Sequence, residues 1–366
     1  MDFDLTEEQS MLVASCERLV RERCGFDGRR AQARQLPQMR PPLWTEMTEL
    51  GLTAIAVPEA LGGMARPLID GALVAQALGR GWLLEPYIDC ALVAAAILSH
   101  APGSTARDTG LAAIARGLRI IVPATHAQRG SSEMLVQAPH GAYADVVLVY
   151  ADDQILALMT TAARKRGWRQ FDGTPACELG CPTAGMMLIA EGEAARTAWQ
   201  AGQVVGRVGR IAEGVGLGKT VLDLTADYLR TRRQFGQPIG RFQALAHRMA
   251  DLAILYEQAQ SLMLAAAMRS APAGNGYGKG ALAANEAAAN GMATGAAGSA
   301  SRTLDAAQVM AHRAFRAIGQ QAIQLHGGIG MTDEYAVSHY VKRLLAIELE
   351  LGDVDSALRR FADAAA

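Results

Sequence analysis

The 366-residue sequence predicts an α+β, mostly helical fold in three parts: a helical amino-terminal domain, a small all-β middle domain and a carboxy-terminal four-helix bundle. Two observations carry this reading. Apolar residues recur at helical spacing in residues 1–118 and again in 196–366, whereas residues 119–195 change to short β-branched runs separated by Gly, Pro, Asp and His. Half of the residues are hydrophobic, which for this length allows more than one core and favours division into domains.

The first helix begins at Thr6-Glu7-Glu8-Gln9, where the hydroxyl caps the third helical amide and Gln9 reaches back to the cap. Leu12, Cys16, Leu19 and Val20 continue it. A second amphipathic segment runs through Trp44, Met47 and Leu50 to Gly51, which supplies the left-handed residue that ends a helix. A turn through Val57-Pro58-Glu59 to Gly62-Gly63 follows, then helical stretches from Leu68 to Leu78 and from Ala91 to Ser99. Strands are expected at Ile120-Ile121-Val122, Val146 to Tyr150, Ile155 to Leu158 and Met186 to Ile189. After residue 197, Ile211, Val215, Leu222, Ala226 and Leu229 form one helical stripe, and Leu245, Met249, Leu252, Tyr256 and Met263 another. Pro and Gly from Ser270 to Lys279 mark a loop between long helices, and an Ala/Gly-rich segment follows it.

Composition removes several function classes. Thirty-five basic residues against 36 acidic ones give a formal charge of -1, so there is no electrostatic footprint for nucleic acid or an anionic membrane. The longest apolar run, around Cys90 to Leu98, is shorter than the ~20 residues of a bilayer span, and the amino terminus is acidic, so a cytoplasmic location is expected. Five scattered cysteines make no disulfide framework, and the pair Cys177 and Cys181 has no second Cys or His pair beside it, so no metal is expected.

Two segments carry a resemblance. The first is Arg230-Thr231-Arg232-Arg233-Gln234-Phe235-Gly236-Gln237-Pro238-Ile239, followed by Phe242-Gln243 and Met249-Ala250-Asp251. The second is Gln324-Leu325-His326-Gly327-Gly328-Ile329-Gly330-Met331, followed by Glu334-Tyr335. In this order they resemble the acyl-CoA dehydrogenase family, and the opening Asp4 to Gln9 and Gly51 to Gly63 resemble that family's start. The short length and the ending Gly352-Asp353 are most similar to small subunits of the pimeloyl-CoA dehydrogenase type, which belong to mixed tetramers.

The resemblance implies an FAD enzyme that introduces an α,β double bond into an acyl-CoA thioester and passes electrons to an electron-transfer flavoprotein. It implies a homodimer or tetramer, or a heterotetramer with a catalytic paralogue. Arg232 matches the arginine that reaches across a dimer interface to the flavin pyrophosphate, for which a guanidinium fork is suited. Gln234, Phe235 and Gln243 belong to the same cofactor segment, and Gln324, Gly327 and Gly328 match residues near the adenosine. Read without the resemblance, the arginines at 230, 232 and 233 are a solvated helix end favoured by the macrodipole. Thr125-His126-Ala127 stands where the family has Thr-Glu-Pro, leaving Thr125 for the flavin ring, and the flavin-stacking Trp and Thr have no clear counterpart.

The family reaction needs a carboxylate of raised proton affinity to remove the proton beside the thioester. The family's usual Glu position, before a Gly, is Leu351 here, and its alternative position is Gly206. Glu350, one residue away, is the candidate base, with Glu348 and Asp353 nearby. Three readings therefore stand: an active acyl-CoA dehydrogenase, homomeric or with a base from a partner; a catalytically silent subunit that shapes the flavin and substrate site of a partner; or another reaction on the same scaffold, such as flavin-dependent oxidation using oxygen, which no feature of the sequence selects. The identity of the acyl chain is not written in the sequence.

Overall fold

The computed structural model describes residues 4–36, 41–130, 133–270 and 293–363. It is mostly helical. The capping box forms as the sequence requires: the Gln9 amide donates to the Thr6 hydroxyl at 3.2 Å and the Thr6 amide to Gln9 Oε1 at 3.1 Å. This starts α1 (Glu7–Arg23), followed by α2 (Phe26–Gln35) and α3 (Leu43–Glu49), whose chain leaves through Gly51 at φ +76. Next come α4 (Leu68–Gly79), a π-helix (Tyr87–Ala94), α5 (Ala95–His100) and α6 (Thr105–Ala115). The stretch from Ala91 thus differs from the α-helix expected there: its first half is wound as π, a conformation found disproportionately at functional sites.

The middle region contains β1 (Ile121–Pro123), β2 (His126–Arg129), β3 (Glu133–Pro139), β4 (Val146–Ala151), β5 (Gln154–Met159), β6 (Arg164–Arg169), β7 (Pro175–Pro182) and β8 (Met187–Glu191). They form two four-stranded sheets, ordered β1-β4-β5-β8 and β2-β3-β7-β6. The four runs expected from the sequence are the four strands of the first sheet. Cys177 and Cys181 lie on β7 as buried free thiols in the core.

The long helix α7 (Gly192–Thr231) then passes both earlier regions. It ends in a hairpin of β9 (Arg233–Gln234) and β10 (Gln237–Pro238), followed by α8 (Gln243–Arg269), α9 (Ala293–His326), α10 (Ala336–Leu351) and α11 (Val354–Asp363). Beyond Ser270, the expected loop to Lys279 lies outside the described residues. Glycines let α7 approach its neighbours closely. A Cβ on Gly216 would sit 1.8 Å from the Gln76 carbonyl oxygen on α4, and one on Gly214 would sit 2.3 Å from the Phe315 ring on α9. Among the described residues no helix is long and apolar enough to cross a membrane.

Candidate functional site

The residues matched to the cofactor fall into two groups. Arg232 caps the end of α7, with its amide donating to the Tyr228 carbonyl at 2.8 Å, and Gln234 and Phe235 continue into the hairpin. Phe235 is held at φ +50 with its side chain 90% exposed, an unusual pairing of backbone strain and a solvent-facing ring. Gln243 is exposed at the start of α8, and Gln324 at the end of α9. The Gly327-Gly328 turn follows, with Gly327 at φ +65 and open space where either Cβ would stand. Tyr228 on α7 and His326 on α9 pack with 4.6 Å between ring centroids, which brings the Arg232 end and the glycine turn together. Thr125 is elsewhere, at the head of β2, where both its hydroxyl and its amide donate to the Gln137 carbonyl. His126 is exposed on β2.

The two base positions meet around a residue that sequence reasoning missed. Gln308 Nε2 donates to the Leu351 carbonyl at 2.6 Å, and its Oε1 accepts from Arg207, the neighbour of Gly206, at 2.9 Å. Leu351 is buried, and Gly206 faces the π-helix, where a Cβ would lie 3.2 Å from Val93 Cγ2. On either side along α7 the fit is tighter. Cβ atoms on Gly202 and Gly209 would meet Ile97 at 2.4 Å and Ile88 at 2.9 Å.

The space beside these positions is filled by charge. Arg343 on α10 donates bidentately to Glu213 on α7 at 2.7 and 2.8 Å, to Asp172 in the β6–β7 loop at 2.9 Å and to Glu350 at 2.6 Å. Arg210 on α7 donates to both oxygens of Asp89 at 2.7 and 2.9 Å and pairs with Glu350 at 2.6 Å. His140 completes the cluster, 3.5 Å from Asp89 and in a 2.5 Å hydrogen bond with the Tyr143 hydroxyl. Burial pushes the His140 pKa down to about 4, against the pull of Asp89, so the imidazole is neutral near pH 7. Desolvation would raise the Glu350 carboxyl, though its side chain is still 31% exposed, and Arg210 and Arg343 outweigh it and hold its pKa below the usual value. Glu350 is thus positioned as an ion-pair partner of two arginines.

Three costly local conformations deliver this cluster. Trp82, almost wholly buried, is left-handed at φ +55, and its carbonyl accepts from Arg29, which also pairs with Glu85 at 2.6 Å. His140 is left-handed at φ +59, and the π-helix carries Asp89. Backbone strain of this kind persists only where the surroundings over-determine it. The cavity among His140, Gln170, Thr174, Arg210, Arg343 and Glu350 has about 10 Å³ of free space, room for about one water. The signal that would have found the cluster is a charge on an apolar helical face: Glu213 between Ile211 and Val215, and Arg343 beside Leu344 and Ile347.

Among the described residues, the Arg232 end of α7 and the glycine turn after α9 have the chemistry that the phosphate and adenosine part of FAD needs. The exposed Arg232 guanidinium and the open glycine turn form a cradle that suits phosphate and adenosine. The crevice between β3 and the bundle does not suit a three-ring group, because ligand pockets occupy roughly 300–1,000 Å³ and this crevice is filled by ion pairs. Among the described residues no group of three or more His, Cys, Asp or Glu could hold a metal ion.

Family models agree with this architecture. The N-terminal domain model of acyl-CoA dehydrogenase matches residues 6–117, and the C-terminal domain model matches 197–283 and 278–365. The chain belongs to the acyl-CoA dehydrogenase family. That family supports an FAD-dependent oxidoreductase. One relative, acyl-CoA dehydrogenase IpdE2 of Mycobacterium tuberculosis, is 29% identical over 339 residues, covering 92% of this chain and 91% of its own. Among solved structures, the ChsE4-ChsE5 complex from Mycobacterium tuberculosis superposes with a TM-score of 0.79 at 22% identity, covering 99% and 98% of the two chains. A glutaryl-coenzyme A dehydrogenase in complex with glutaryl-CoA gives 0.77 at 19% identity, covering 99% and 96%. At these identities the two structures share the fold of the chain.

Proposed function

We propose that this chain is the catalytically silent subunit of a heteromeric acyl-CoA dehydrogenase. It contributes phosphate and adenosine contacts to an FAD at the interface, through Arg232, Gln324, Gly327 and Gly328. A partner of the same fold supplies the base, the ring side of the flavin and the acyl pocket. One observation carries the reading: both positions from which this family draws its base are non-acidic, and the face of α7 around Gly206 is packed against Ile88, Val93 and Ile97. A carboxylate at Gly206 would press on Val93, and an acyl chain would have no room beside it.

The other reading, an active dehydrogenase using Glu350, requires that carboxylate to leave two arginines. A base for a carbon acid needs raised proton affinity and reach to the substrate, whereas Glu350 has lowered affinity and both oxygens engaged. The likeness to the ChsE4-ChsE5 complex supports a two-chain assembly. The acyl chain and the delivery of electrons to an electron-transfer flavoprotein then belong to the partner's side of the site.

The test is anaerobic. The full chain alone, given FAD and an acyl-CoA ester, is expected to leave the visible flavin absorption unbleached. The same ester should bleach the flavin once a homologue carrying Glu at either base position is present, and Glu350→Gln in this chain should not prevent it. Bleaching by this chain alone, abolished by Glu350→Gln, would replace the proposal with the active-enzyme reading.

A further inference from the structure

We infer that Tyr228 and His326 are positioning residues: their packed rings fix the spacing between Arg232 and the Gly327-Gly328 turn, and so the geometry of the nucleotide cradle offered to the partner. The inference rests on the proposed role of that cradle. The two helices run side by side, with Gly218 of α7 meeting Ile318 of α9 and, further along, Tyr228 meeting His326. Helix α9 ends at His326 and α7 at Thr231, so the ring pair lies within the last turn of each helix, next to both cofactor segments. From Tyr228 the path to the cation is short, because its carbonyl accepts from the Arg232 amide and the Arg232 carbonyl accepts from Ile239 at 2.9 Å. From His326 the path to the turn is shorter still: Gly327 follows directly, and a Cβ on Gly330 would stand 2.9 Å from His326 Cβ, so the turn folds back over this side chain. Tyr335, beyond the turn, closes the far side with its ring 5.2 Å from His326.

The histidine is held by more than shape. Its Nδ1 bonds to the Ala322 carbonyl at 2.8 Å, which fixes the ring plane, whereas Nε2 is buried without a hydrogen bond of normal geometry. Burial also lowers its pKa, outweighing the Ala322 and Leu224 carbonyls, which favours the neutral ring and spares the cradle a second cation.

The experiment measures FAD dissociation from the assembled complex by flavin fluorescence, beside its thermal midpoint, for the unaltered protein and for Arg232→Ala, His326→Ala, His326→Phe and Tyr228→Leu. Arg232→Ala is expected to weaken FAD more than about tenfold, through loss of a charge-assisted contact. His326→Ala and Tyr228→Leu should weaken it about five- to tenfold, and His326→Phe should restore it to within about twofold, where a tenfold step corresponds to about 1.4 kcal/mol. Unchanged affinity in both His326→Ala and Tyr228→Leu, with Arg232→Ala still weakened, would overturn the inference and leave the shared cradle standing. Unchanged affinity in Arg232→Ala as well would overturn the cradle itself. If His326→Ala fails to fold, Tyr228→Leu decides, since it keeps apolar bulk on α7 and removes only the ring contact. Loss of affinity in His326→Phe equal to that in His326→Ala would also overturn the inference.

Discussion

Arg343 and Arg232 sit in opposite circumstances. Around Arg343 the charges are met by opposite charges, from Glu213, Asp172 and Glu350, whereas the Arg232 guanidinium is exposed with no ion-pair partner among the described residues. The first arrangement binds helix, sheet and bundle to one another and leaves no room for a ligand. The second holds a cation at a helix end, next to an open glycine turn, where an anion from outside can reach it. A buried, mutually satisfied charge is a structural joint, and an exposed, unsatisfied one beside a cradle is a contact in waiting.

The sharpest way to break the contrast is Arg343→Ala. It removes the cation shared by Glu213, Asp172 and Glu350 and leaves only Arg210 beside Glu213 and Glu350, and removal of one partner from a buried ion pair typically destabilises by about 3–5 kcal/mol. Urea unfolding should show a large drop in midpoint; an unchanged midpoint would mean that the cluster is solvated and not a joint.

His140 provides a pH-dependent test of the same joint. Asp89 and Glu350 face it and favour the protonated ring, while burial and the nearby Arg210 and Arg343 disfavour it, for a net pKa of about 4 against 6.5 in a free chain. Between those values the unfolded chain binds the proton and the folded chain does not, so stability is full above pH 6.5 and falls as the pH drops towards about 4. The loss from this group is of order 3 kcal/mol. His140→Asn, which tolerates the left-handed backbone, should flatten that part of the stability-against-pH curve relative to the unaltered protein. Parallel curves would remove His140 from the account of acid sensitivity.

A smaller effect is expected from Gly206→Glu. Restoring a carboxylate at the alternative base position should destabilise by about 1–3 kcal/mol through overpacking against Val93, and it should confer no dehydrogenation on the chain alone. Gain of activity would show that α7 can move off the π-helix. Least of all should Arg232→Ala alter stability, by no more than about 0.5 kcal/mol for an exposed side chain, although it should reduce the FAD retained by the complex.

The two sheets show why the sequence was only half legible. The first, β1-β4-β5-β8, is built from runs such as Val146 to Tyr150, and β4 and β5 are almost continuously buried, so β-branched runs expose it. The second sheet is wetter towards its edges, although its central strand β7 is buried on both faces and was hidden by its Pro, Cys and Gly residues. Along β3 burial alternates, and β6, Arg164-Lys165-Arg166-Gly167-Trp168-Arg169, is exposed at every residue as a charged edge strand. Such strands are held by their ladder partners more than by burial, and edge charge discourages further pairing. The capping box and the Gly51 terminator were readable because their contacts are local. The ion cluster was not, since Asp89, His140, Asp172, Glu213 and Arg343 are brought together only by the packing of three regions. The motif match points to Arg232 and Gly327-Gly328, which lie at the surface, but it does not reveal that Gln308 joins the two empty base positions.

The most direct measurement is the FAD-to-protein ratio of the complex formed with a homologue that carries the base, taken from flavin absorbance and total protein. One FAD for each pair of unlike chains is expected if this chain's crevice is closed and only its cradle is used. One FAD for each chain would contradict it, since this chain would then hold a flavin ring of its own.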